Sequence, residues 1–68
     1  MKNYTYEYVD YNINKCIHVI NRWMQAQVVR ISMGDIFVNT IHIEKKSTGD
    51  IYYPYKWSLK INYSENEK

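Results

Sequence analysis

Tyr4, Tyr6 and Tyr8 share one phase and Thr5, Glu7 and Val9 the other, the period-two pattern of a strand built from sheet-favouring residues. After Asp10-Tyr11-Asn12, where the asparagine side chain suits a helix N-cap, the period changes. Ile13, Cys16, Ile17, Ile20, Trp23, Met24 and Gln27 recur at helical spacing, with Asn14, Lys15, His18, Asn21, Arg22 and Gln25 filling the other side. That pattern predicts an amphipathic helix of about four turns ending near Gln27.

Val28-Val29-Arg30-Ile31 then switches to β-branched residues and predicts a second strand running to Met33. Gly34-Asp35 reads as a tight turn, since glycine supplies the positive φ that hairpins need. A third strand is expected over Ile36 to Lys45, with Phe37, Ile41 and Ile43 in one phase and Val38, Thr40, His42 and Glu44 in the other. Asn39 falls in the apolar phase and does not fit. Beyond the polar loop Lys46 to Asp50, the clearest alternation in the chain places Ile51, Tyr53, Tyr55, Trp57, Leu59, Ile61 and Tyr63 on one face of a fourth strand. Pro54 lacks a backbone donor and makes that strand an edge strand or a bent one.

The expected order is β-α-β-β-β: an α+β fold in which one amphipathic helix packs on one face of a mostly antiparallel four-stranded sheet. Residues 1–63 form a single small domain in this reading, and residues 64–68, without periodicity, a flexible C-terminal tail. A sheet covered by one helix leaves its other face in water, and that face is where function is sought.

Composition narrows the picture in a few places. With 68 residues the chain has room for one core, and 46% hydrophobic against 24% charged residues is the balance of a folded protein. A core of this size supplies only about 3–5 kcal/mol, so dimerisation or partner binding adds usefully to stability. Eight tyrosines stand out, because the ring packs while the hydroxyl seeks water or a partner, which suits sheet faces and interfaces alike. The formal net charge of +2 is too small to indicate nucleic acid by itself. One cysteine, no zinc-like spacing, and no apolar run long enough to cross a membrane lead to an expectation of a cytoplasmic protein without a metal or other cofactor.

No catalytic constellation is legible. His18 and His42 have no Ser or Cys nucleophile, carboxylate pair or metal-ligand cluster beside them in the pattern, and Cys16 falls in the apolar stripe of the helix as a small hydrophobe. Gly34 and Gly49 stand in no phosphate-binding run. With both apolar phases turned inward, the wet face would show His42 and Thr40 beside Tyr52, Lys56, Ser58 and Lys60, with Arg30 joining from the second strand. Arg30, His42, Tyr52, Lys56 and Lys60 are therefore the candidate binding residues. Cations interleaved with a ring suit single-stranded nucleic acid, although a solvated, lysine-decorated sheet face is the commoner use of such a pattern. Tyr4, Tyr6 and Tyr8 fill the core or form an aromatic contact strip, and alternation favours the core.

The functional expectation is a non-catalytic module that binds another protein, either a second copy of itself as a homodimer or a larger target that it inhibits or modulates. The alternative is a small nucleic-acid-binding protein using the basic and aromatic sheet face. In its short length and its wealth of Asn, Ile, Lys and Tyr the chain resembles accessory proteins of AT-rich bacteria and their phages, among them small inhibitors of host defence enzymes. The resemblance is one of composition; it covers no motif and carries no residue across.

Overall fold

The strong alternation near the C-terminus has a simple cause in the computed structural model, which describes residues 1–66: that strand lies in the middle of the sheet. The elements run β1 (Lys2–Asp10), α1 (Ile13–Ala26), α2 (Val28–Ser32), β2 (Ile36–Ser47) and β3 (Tyr55–Glu65). They form one sheet of order β1-β3-β2, antiparallel throughout. Tyr4, Tyr6 and Tyr8 of β1 stand opposite Tyr63, Ile61 and Leu59 of β3, while Val38, Ile41 and Ile43 of β2 meet the same three residues from the other side.

α1 crosses this apolar face. Asn12 caps it by accepting the Asn14 N–H at 2.9 Å, which satisfies one of the donors a helix start leaves orphaned. Cys16 and Trp23, seven residues apart on one stripe, pack with Ile36, Leu59 and Ile61 as the buried core. Tyr8, Val19, Ile20, Met24, Ile31, Val38, Ile43, Trp57 and Tyr63 close around it. The Trp23 ring meets that of Tyr63 at 5.0 Å between centroids, tilted by 55°, and Tyr4 stacks on the same tyrosine at 5.5 Å.

The sheet has three strands, not the four expected. The β-branched run Val28–Ser32 is helical, because Gln27 closes α1 by donating to the Trp23 and Met24 carbonyls and then accepts from Ile31 N at 2.8 Å, so the chain turns without leaving helical geometry. Intrinsic β preference is weak beside tertiary context, and here a helical turn half-buries Ile31 against the core while leaving Val28 and Val29 in water. Gly34 is consequently a helix terminator and not a hairpin turn. At φ 76° it donates to the Ile31 carbonyl at 3.1 Å while Asp35 N–H reaches back to Arg30 at 2.9 Å, the paired bonds of a Schellman cap.

Two further departures follow from local chemistry. A bulge between Val38 and Thr40 inserts one residue opposite β3, so Ile36 and Val38 face the helix with Ile41 and Ile43, whereas Phe37 turns to the open face with Thr40 and His42. This is why Asn39 did not fit the alternation. The long final strand expected from Ile51 begins only at Tyr55. Asp50 Oδ1 accepts from Tyr52 N at 2.7 Å and Tyr53 N at 3.1 Å, Thr48 Oγ1 accepts from Asp50 N at 3.1 Å, and Thr48 N bonds the Pro54 carbonyl at 3.0 Å, so this segment forms a side-chain-pinned loop. Pro54 thus ends the loop and is no part of an edge strand. β3 continues through Ser64 and Glu65, and Asn66 N bonds the Asp35 carbonyl at 2.8 Å. Of the tail expected over 64–68, residues 67–68 lie outside the described residues.

The backbone measures 49 × 19 × 12 Å, because the β2–β3 hairpin runs on past the start of α1. No helix among the described residues is long and apolar enough to cross a membrane.

Candidate interaction surfaces

The face of the sheet opposite α1 carries the residues expected to bind, but only some of them. His42 and Lys60 stand side by side in the register, and Lys56 lies opposite Lys46, nearer the loop. Arg30 is elsewhere, on α2, with its guanidinium 3.1 Å from Glu65. Tyr52 belongs to the loop after β2 and lies on neither sheet face. The structure therefore brings together three of the five expected residues.

That open face is largely self-satisfied. Thr5 Oγ1 donates to Asn62 Oδ1 at 2.8 Å, and Asn62 Nδ2 donates onward to Thr40 Oγ1 at 2.7 Å, a hydrogen-bonded row across all three strands. A second row joins Asn39, Ser64 and Asn3 at 2.9 and 2.7 Å, with Ser64 buried beneath its neighbours. Lys60 sits 3.7 Å from Glu7 and Lys46 4.0 Å from Glu44, so two of its cations face carboxylates. Phe37 is the aromatic ring that the strand register places there, far from Lys56. Stacking bases need rings interleaved with the cations, and this face does not offer them.

The end of the hairpin presents a different surface. Every residue from 44 to 56 is exposed, and Ile51 and Tyr52 hold 91% and 87% of their surface in water, with Tyr53 at 59%. Tyr53 leans on Tyr11, which precedes α1, at 5.3 Å between ring centroids. Lys45 lies over the Tyr55 ring at 3.8 Å and 5.6 Å from that of Trp57, a cation–π pair that props the aromatic side of the hairpin. Between Tyr11, Ile13, Tyr53 and Trp57 opens a hollow of about 750 Å³, with Asp10 and Lys15 on its rim.

A second hollow, of about 590 Å³, runs between α1 and β1. Its floor is Tyr6, Tyr8 and Val19, and its wall carries Lys15, His18 and Arg22, which recur at i, i+3 and i+7 and so share one helix face. None of the three lies within salt-bridge distance of a carboxylate among the described residues. The sequence pattern put them on the polar side of the helix; the same spacing, read against the tyrosines of β1, was the signal of this groove. The Tyr8 hydroxyl is committed locally, donating to Asp10 Oδ2 at 2.6 Å. That bond, with the Asn12 N–H, holds the Asp10 carboxyl below its ordinary value, and the same bond raises the Tyr8 phenol.

His18 lines the groove and His42 lies across the sheet from it, so the two imidazoles do not meet. Cys16 is fully buried with its thiol 3.9 Å from the Trp57 carbonyl, and burial raises its pKa, which disfavours the thiolate. No group of three or more His, Cys, Asp or Glu side chains among the described residues is placed to hold a metal ion. Compared with known proteins, the chain matches no family model, no curated protein and no solved structure.

Proposed function

We propose that the chain is a non-catalytic protein-binding module, a small inhibitor or modulator of a larger protein, which it grips with the tip of its β2–β3 hairpin. The observation that carries this reading is the exposure of Ile51, Tyr52 and Tyr53 together at the end of a projecting loop. Large apolar and aromatic side chains grouped in water mark contact surfaces, and tyrosine supplies contact area at little conformational cost. The Asp50 and Thr48 hydrogen bonds hold the loop in one shape before any partner arrives, which lowers the entropy lost on binding. The sheet face expected to serve nucleic acid has two of its lysines beside carboxylates and no row of rings, which favours protein as the partner. A lone buried thiol suits the reducing interior of a cell, where such a module would work.

The test is a pull-down from lysate of the source cell with the tagged chain and with an Ile51→Ser/Tyr52→Ser variant, at low and moderate salt, with and without nuclease. A discrete protein retained through both treatments by the wild type and lost by the variant is the expected result. Retention by both proteins removes the hairpin tip from the interface. Material that disappears with nuclease replaces the protein reading with nucleic acid.

A further inference from the structure

The groove between α1 and β1 lies beside an unpaired sheet edge. Among the described residues β1 pairs with β3 on one side only, so its outer edge over residues 3–10 presents backbone N–H and C=O groups to solvent. Along that edge α1 carries Lys15, His18 and Arg22, spread over about 10 Å of helix axis at 1.5 Å per residue. β edges are commonly protected by charges that discourage a neighbouring strand, and the two cations Lys15 and Arg22, with the His18 imidazole between them, repel one kind of strand while attracting another.

We propose that β1 accepts an acidic, extended segment of the partner protein as a fourth strand, its backbone pairing with the outer edge of residues 3–10 and its carboxylates meeting Lys15, His18 and Arg22. The ladder of main-chain bonds supplies affinity in this mode and alternate side chains supply specificity. A strand's alternate residues point the same way at a repeat of about 6.6 Å, and Lys15, His18 and Arg22 follow one another at about 4.5 and 6.0 Å along the α1 axis, within reach of long side chains, so acidic residues on one face of the strand can meet Lys15 and Arg22.

Charge decides against the other occupants. A second copy joined through β1 in a two-fold arrangement would set its own Lys15 and Arg22 against these two cations, a repulsive contact. Single-stranded nucleic acid matches the cations but finds only Tyr6 open as a stacking ring, since Tyr8 is half-buried and hydrogen-bonded to Asp10, and Tyr4 is stacked on Tyr63. Lys15 also lines the hollow beside Tyr53 and Trp57, so a strand along β1 continues toward the hairpin tip and one partner can occupy both. The inference rests on the reading of the chain as a protein-binding module but does not require the tip.

The experiment measures binding of a fluorescein-labelled dodecapeptide of alternating glutamate and threonine to the full chain at physiological salt, with hydrogen exchange of the β1 amides followed in parallel. Two further probes accompany it: a proline peptide with the same six glutamates, each followed by two prolines, which keeps the charge and removes donors along both edges of the strand, and an oligothymidylate. The expected result is peptide binding that weakens by about tenfold or more for a Lys15→Glu/Arg22→Glu variant and for the proline peptide, with alternate β1 amides slowing in exchange. Both substituted residues are exposed, and an unchanged circular dichroism spectrum establishes that the variant is folded. Equal binding of the proline peptide, equal binding by the variant, no binding of the glutamate-threonine peptide, or tighter binding of the oligothymidylate each overturns the proposal. An Ile51→Ser/Tyr52→Ser variant is expected to bind the peptide as the wild type does. Failure here with tip-dependent capture intact in the pull-down removes the strand site alone, whereas peptide binding without tip-dependent capture removes the tip alone.

Discussion

Tyr8 and Asp10, two residues apart on the same side of β1, are joined by a hydrogen bond of 2.6 Å from phenol to carboxylate. The bond favours the ionised carboxylate and the neutral phenol, so Asp10 titrates below, and Tyr8 above, its ordinary value. A carboxyl lowered in the folded state contributes stability that is present above its unfolded value, about 3.9, and lost as pH falls through the folded value. A phenol raised in the folded state contributes stability that is fully present below its unfolded value, about 10, and lost as pH rises through the folded value. Urea midpoints measured from pH 7 down to pH 2 are expected to fall at the acid end, and Tyr8→Phe is expected to flatten that fall by removing the donor.

Gly34 holds a positive φ at the end of α2, and a Cβ there would meet nothing within 4 Å. The cost of Gly34→Ala is therefore backbone strain alone, about 1 kcal/mol. In a domain of this size such a loss lowers Tm by roughly 4–8 °C, readable by thermal circular dichroism. No change in Tm would mean that the Schellman cap contributes little.

Ile61 is fully buried at the centre of β3, between Tyr6 and Ile41. Ile61→Ala removes packing worth about 2–5 kcal/mol, comparable to everything a core this small supplies. The variant is expected to be largely unfolded at 25 °C by near-ultraviolet circular dichroism, whereas Tyr52→Ser, at an exposed loop position, is expected to stay within about 0.5 kcal/mol of wild type.

The Cys16 thiol has no exposed surface, and burial raises its pKa. Ellman's reagent at pH 8 is therefore expected to react slowly with the native protein and at once in denaturant. Rapid native labelling would show that α1 lifts readily from the sheet.

Much of the architecture could be read from residue order. β1, α1 and the inner part of β3 follow from periodicity because each buries one continuous face, and Asn12 marks the start of α1 as a cap should. The errors share a different cause: a short run or a single residue with two permitted readings. Val28–Ile31 is β-branched yet helical, since a run that short does not distinguish the two states and context decides. Gly34 signalled a positive φ correctly, but a helix end needs one as much as a hairpin does. Ile51 and Tyr53 continue the phase of Tyr55 by coincidence, and the Asp50 and Thr48 side chains override it. Asn39 was the one visible trace of the bulge. Of the candidate site, His42, Lys56 and Lys60 were placed on their true face; Arg30 was lost with its strand and Tyr52 with the loop, while Lys15, His18 and Arg22 needed the position of β1 to acquire meaning.

None of the five buried core side chains lies between residues 44 and 56. The hairpin tip is thus mechanically carried by the rest of the molecule without contributing to its core, and its residues can be exchanged at little cost to folding as long as Asp50 and Thr48 keep the loop's shape. If the tip binds a partner as proposed, that separation permits target drift: Ile51, Tyr52 and Tyr53 could follow changes in the partner's surface without disturbing the register of β3 or the packing of α1.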